Sequence, residues 1–134
     1  MMRLEHIGIA VNDLEKSNEL FRRLLGEPHY KVEVVASEHV KTSFFRSGDA
    51  KVELLEATAP ESAIARYIAR RGEGIHHVAF EVSDIRAEME RLKEAGFQLL
   101  SDQPKRGADD KWVCFVHPGT ANGVLVELCQ SIGP

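Results

Sequence analysis

From Leu4 to Val11, bulky apolar and smaller or polar positions alternate, the period-two pattern of a strand. The pattern then changes period. Leu14, Leu20, Phe21, Leu24 and Leu25 fall on one helical stripe, Asn12 with Glu15 three residues on is a capping-box start, and Gly26 suits the C′ position. Three strands are expected next, over Tyr30–Ala36, His39–Arg46 and Lys51–Glu56, with Ser47-Gly48-Asp49 turning between the last two. Pro60 to Arg71 reads as a linking helix with Ile64, Tyr67 and Ile68 on one side, and Gly72-Glu73-Gly74 breaks the chain after it.

The same order then returns. Ile75–Val82 is a strand, Ser83 an N-cap, Ile85, Met89 and Leu92 a helical stripe, and Gly96 a stop. Phe97–Ser101, Trp112–His117 and Gly123–Gln130 read as three further strands, and the polar stretch Asp102–Lys111 as a loop. The chain is therefore two tandem βαβββ modules, about 3–58 and about 74–130, joined by a linking helix at about 60–71, in a single domain spanning 1–134.

The repeat carries chemistry at matched places. His6 opens the first strand and Glu53 sits in the last strand of its module; His77 and Glu127 occupy the same places in the second. Alternation puts His6 on a face with Leu4, Gly8 and Ala10, and His77 with Ile75, Ala79 and Glu81, leaving the bulkier residues opposite as a floor for each module's helix. The small neighbours leave space over the histidines. Glu53 lies between Lys51 and Leu55, and Glu127 between Leu125 and Cys129. A carboxylate buried there must be paired, protonated or bound to a metal. One such histidine is an ordinary core residue and one such glutamate an edge residue. Two of each in matched places point to a shared divalent-metal site. His76 falls on the opposite face and reads as structural or supporting, His117-Pro118 as a turn anchor, and His29 and His39 as surface residues.

Composition narrows the partners. A chain of 134 residues is long enough for a real core, and a net charge of −4 argues against nucleic acid, which would need a basic face, while leaving a small anionic substrate open. Cys114 and Cys129 lie in apolar strands without metal-binding or redox spacing, so buried free thiols in a reducing compartment are expected. No apolar run approaches the roughly 20 residues that cross a bilayer and no signal-peptide layout opens the chain, so a cytoplasmic protein without membrane contact is expected.

Leu4-Glu5-His6-Ile7-Gly8-Ile9-Ala10-Val11, Val52-Glu53-Leu54-Leu55-Glu56, Pro60-Glu61-Ser62-Ala63-Ile64-Ala65, Gly72-Glu73-Gly74-Ile75-His76-His77-Val78-Ala79-Phe80, His117-Pro118 and Asn122-Gly123-Val124-Leu125-Val126-Glu127-Leu128 together cover most of the chain. In combination they resemble the vicinal oxygen chelate (glyoxalase/bleomycin resistance/dioxygenase) superfamily and, within it, the methylmalonyl-CoA epimerases. The resemblance implies an α+β fold in which two βαβββ modules form a cup-shaped mixed sheet around one metal. It implies His6, Glu53, His77 and Glu127 as metal ligands, the second being Gln or Glu in the family, and an octahedral divalent ion, Co²⁺ first, with Mn²⁺, Ni²⁺ or Zn²⁺ as alternatives. The implied reaction is epimerisation of an acyl-CoA substrate, methylmalonyl-CoA, by removal and return of its α-proton through a metal-stabilised enolate, with Glu127 as ligand and base, in a homodimer. The chain departs from the family where Gly119 replaces a lysine, where Asp109 and Asp110 replace small residues, and around Thr42, where some members have a glutamate proposed as a second base. A glyoxalase I-type isomerase and, from another class, a metal-free small-molecule-binding protein are the competing readings; an extradiol dioxygenase fits less well, because Glu53 would fill a position needed for oxygen.

Overall fold

In a computed structural model, residues 2–133 are described and divide into two compact units: His6–His76, and the remaining described residues. The elements are β1 (Arg3–Ala10), α1 (Leu14–Leu25), β2 (Lys31–Val35), β3 (Val40–Ser47), β4 (Ala50–Ala57), α2 (Ala63–Arg71), β5 (Gly74–Glu81), α3 (Ile85–Glu94), β6 (Lys105–Gly107), β7 (Lys111–Val116) and β8 (Val126–Ser131). The α+β class and the doubled strand-helix-three-strand order expected from the repeat are borne out. Among the described residues, no helix is long and apolar enough to cross a membrane.

In the His6–His76 unit the strand order is β2-β3-β4-β1, with β1 parallel to β4 and the other pairs antiparallel. α1 packs on the Ile9 and Val11 side, where Val11, Leu14, Phe45 and Leu54 are buried with Phe21 and Val52 against them. That is the helix floor the alternation required. The linking helix does something the periodicity did not reveal. α2 covers part of the histidine face itself, where Ala10, Val40, Leu55 and Ile64 are buried together with Tyr67 and Ile68 against them.

The second unit repeats the order as β5-β8-β7-β6, with β5 parallel to β8. Its core joins α3 residues Ile85, Met89 and Leu92 to Val82, Cys114, Val116 and Leu128. Cys114 and Cys129 are buried free thiols, as expected. Burial raises both thiol pKa values; for Cys129 the nearby carboxylates of Glu127 and Glu5 push the same way.

Two expectations are corrected. The N-caps are Asp13 and Asp84, not Asn12 and Ser83: each aspartate accepts from the N–H three residues on, Lys16 or Ala87, at 3.1 Å. A carboxylate there satisfies an orphan donor and faces the positive end of the helix dipole. Asn12 instead donates its backbone N–H to Glu73 at 2.8 Å. The second correction concerns Phe97–Ser101, which is no strand. Leu99 packs on the α3 core and makes only an isolated bridge to Val116. The first of the three strands after the helix is instead β6, inside the stretch read as a loop.

Candidate functional site

Each unit brings one histidine and one glutamate into contact. His6 Nδ1 lies 3.1 Å from Glu53 Oε2, and His77 Nε2 lies 3.3 Å from Glu127 Oε1. Strand register creates both meetings. β1 runs parallel to β4 with Gly8 opposite Glu53, and β5 parallel to β8 with Ala79 opposite Glu127. The histidine two residues earlier on the same face leans toward the glutamate across the small side chain. A phenylalanine closes the other flank of each glutamate: Phe44 opposite Glu53, Phe115 opposite Glu127. The Phe115 ring meets His77 edge-on, centroids 5.8 Å apart, and fixes the imidazole plane.

All four residues are between 4 and 6% exposed. Withdrawal of two carboxylates from water to this extent is costly unless something compensates their charge. In each unit an N donor and an O donor match the chemistry of a borderline divalent ion. The spacings fit as well: adjacent ligands at about 2.1 Å from an ion stand roughly 3 Å apart. All four residues belong to groups of ligand-type side chains able to hold a metal ion, and one of those groups also contains Glu5. The sequence reading missed Glu5. Its signal was a charged residue on the β1 face assigned to the helix floor, where it is buried.

The other histidines sort as follows. His76 packs edge-on against Tyr67 of α2 at 5.0 Å, and burial lowers its pKa, so it holds α2 rather than a ligand. His117 accepts the Gly119 N–H through Nδ1 at 2.9 Å and anchors its turn, as read. A side chain at 119 would meet the His117 ring at 3.0 Å, so the glycine belongs to this anchor. His39 adopts a left-handed conformation and sits 3.8 Å from Glu61. His29 is half-buried against Phe45, at 5.8 Å, rather than on the surface.

Around these pairs the two units differ. In the first, Thr42 shares the Glu53 face, is buried, and its hydroxyl finds no hydrogen-bond partner among the described residues. In the second, Lys111 is buried with its ammonium 3.0 Å from Ser131 Oγ and 3.7 Å from Glu81, which also pairs with Arg3. No pattern in the sequence announced Lys111, because its strand reads as apolar from the next residue on.

The chain matches the family model described as the glyoxalase/bleomycin resistance protein/dioxygenase superfamily over residues 5–115. It is 42% identical to an ethylmalonyl-CoA/methylmalonyl-CoA epimerase of Cereibacter sphaeroides, over 96% of this chain and 97% of that one. Among solved structures, it is similar to a hypothetical protein from Bacillus halodurans at a TM-score of 0.96 and 39% identity, covering 99% of this chain and 96% of the other. It is also similar to a Streptomyces coelicolor methylmalonyl-CoA epimerase variant in complex with 2-nitronate-propionyl-CoA, at a TM-score of 0.92 and 33% identity with the same coverage.

Proposed function

Because the chain belongs to the glyoxalase/bleomycin resistance protein/dioxygenase superfamily, and within it to a group of methylmalonyl-CoA epimerases, we propose that it is an isomerase that epimerises methylmalonyl-CoA with a divalent metal ion. The observation that carries the reading is the 42% identity to a named epimerase over nearly the full length of both chains. The buried histidine–glutamate pair in each unit supports its metal dependence. His6, Glu53, His77 and Glu127 are the ligands of one ion, Co²⁺ first among Mn²⁺, Ni²⁺ and Zn²⁺.

The carbon that inverts lies between a thioester and a carboxylate, and its proton is only weakly acidic. When bound, the ion supplies Lewis-acid stabilisation of the charge that develops on the thioester oxygen. The residues of the chain supply the rest. Glu127 takes the α-proton on one face: Ala79 opposite it leaves room, and Phe115 beside it keeps water from competing for the carboxylate. Inversion then requires a proton delivered to the opposite face of the planar enolate by a second acid, a role assigned to no residue of this chain. His6 and His77 would each offer a ring nitrogen to the ion, and Glu53 would hold it as a carboxylate ligand.

The test is incubation with methylmalonyl-CoA in deuterated water, following the α-proton, alongside metal analysis of protein purified without chelator. Exchange with inversion, and bound metal lost in His6→Ala and His77→Ala, are expected. No exchange, with turnover of the glutathione–methylglyoxal adduct instead, would replace the epimerase by a glyoxalase I-type isomerase. No retained metal and no turnover of either would leave a small-molecule-binding protein.

A further inference from the structure

Register places a band of cations beside Glu53. On the face that carries His6 and Glu53, Lys51 lies opposite His6, Arg46 lies opposite Lys51, and Lys31 lies opposite Phe44, the neighbour of Glu53. Aromatic rings hold two of them. The Arg46 guanidinium stands 4.3 Å from the centroid of Tyr30, and the Lys31 ammonium 4.5 Å from that of Phe44. Tyr30 and Phe44 are themselves 6.2 Å apart, so cation, ring, ring and cation form one ordered stretch along the open end of the face. The opposite end of the same face is the apolar cluster covered by α2.

The second unit provides an internal control. Leu100 donates its N–H to the Phe115 carbonyl as Tyr30 does to the Phe44 carbonyl, both at 2.9 Å, which aligns Leu100 with Tyr30 and Ser101 with Lys31. The residues matching Arg46 and Lys51, two beyond Phe115 and two before Glu127, are His117 and Leu125. The fold therefore does not require lysine or arginine at these places. In a chain of net charge −4, three of them together make a local positive field that the protein as a whole lacks.

We propose that Lys31, Arg46 and Lys51 form the subsite for the phosphate groups of a CoA thioester, with Arg46 and Lys31 as direct contacts and Lys51 guiding the thioester arm toward Glu53. This rests on the epimerase reading and adds to it the direction from which the substrate enters. The pantetheine arm separates the phosphates from the reacting carbon, so their subsite must lie outward of Glu53. The exposed Arg46 and the half-buried Lys31 on the outer strands meet that condition. Ring stacking restricts both cations beforehand, so less freedom is lost when a phosphate binds. Lys31 also lies 3.7 Å from Glu33, an exchangeable partner that a phosphate displaces.

The test compares metal-loaded wild type with Arg46→Gln, Lys31→Gln and the double variant on three thioesters: methylmalonyl-CoA, its 3′-dephospho form and methylmalonyl-pantetheine, which has no phosphate. The ratio of kcat/KM on the CoA thioester to that on the pantetheine thioester is expected to fall roughly 10- to 100-fold in the double variant, through KM. It should be largely restored in Arg46→Lys at that position, and KM should depend less on salt in the Gln variants. A loss confined to the 3′-phosphate comparison assigns the subsite to that group; a loss on both CoA forms assigns it to the diphosphate. An unchanged ratio, or equal losses on all three thioesters, overturns the proposal. If wild type turns over none of the three, the epimerase reading itself fails, and that outcome is distinct from an intact enzyme with an unchanged ratio.

Discussion

The His6–His76 unit and its counterpart are built on one frame, and they agree and disagree in different layers. At the centre they match in kind of residue: histidine against glutamate, a small residue on one side, a phenylalanine on the other, although His6 meets its glutamate through Nδ1 and His77 through Nε2. At the helix start they match again. Asp13 and Asp84 cap, while Glu56 and Gln130 each reach from the last strand to the first helical N–H, at 3.1 and 2.8 Å. Away from the centre they part. Ala10, Leu55 and Val40 lie under α2 in one unit, and register gives their counterparts as Glu81, Cys129 and the buried Lys111 in the other. Thr42 has Val113 as its counterpart, and the cations beside Glu53 have none. The lesson is that the histidine–glutamate pairs depend on the frame alone, whereas the flanks are free to be adapted separately.

The strongest break of that likeness is chemical. Glu53→Gln and Glu127→Gln both keep a ligating oxygen, so the metal is expected to stay in each. Glu127→Gln should lose α-proton exchange by about 10²- to 10⁴-fold, and Glu53→Gln by about 10-fold or less. Equal losses would mean that neither glutamate is the base.

The flanks come next, read by urea unfolding. Ile64→Ala empties the cluster under α2 and should cost about 2–4 kcal/mol. Lys111→Met in the other unit should cost under about 2 kcal/mol, because Arg3 still faces Glu81. A larger cost for the lysine would make the charged flank, not the apolar one, the more rigid.

The caps should respond alike. Asp13→Ala and Asp84→Ala are each expected to remove about 1 kcal/mol, and a twofold disparity would show that the helices are not equivalently held. Smallest is Thr42→Val, which gives the first unit the residue of the second. Replacing a buried hydroxyl that has no hydrogen-bond partner among the described residues should raise stability by about 0.5–1 kcal/mol. A drop would reveal that the hydroxyl does structural work.

Much of this was legible from alternation. His6, His77 and the two glutamates stood out because a strand puts every second residue on one face, and the repeat supplied the second instance. The caps were displaced by one residue because Asn12-Asp13 and Ser83-Asp84 each set two capping residues side by side, and only the backbone decides which one precedes the helix. β6 was hidden because Lys105-Arg106-Gly107 is a short edge strand whose order comes from backbone pairing to β7, not from an apolar face. Glu5 and Lys111 were obscured for the opposite reason: their burial is made tolerable by distant partners that no local pattern records. The cover that α2 gives the histidine face likewise depends on the path of the chain after Ala57.

The two reaches from strand to helix carry a further consequence. Glu53 and Glu56 lie on opposite faces of β4, as Glu127 and Gln130 do on β8, and in each pair one meets a histidine while the other holds the helix start. A strand that slipped by one residue would turn both outward-facing and inward-facing sets over together. It would lose its helix contact and its histidine contact in the same event. Each β-strand that bears one of these glutamates is thus checked from two sides, so a misthreaded chain fails as a fold before it can persist as a defective enzyme.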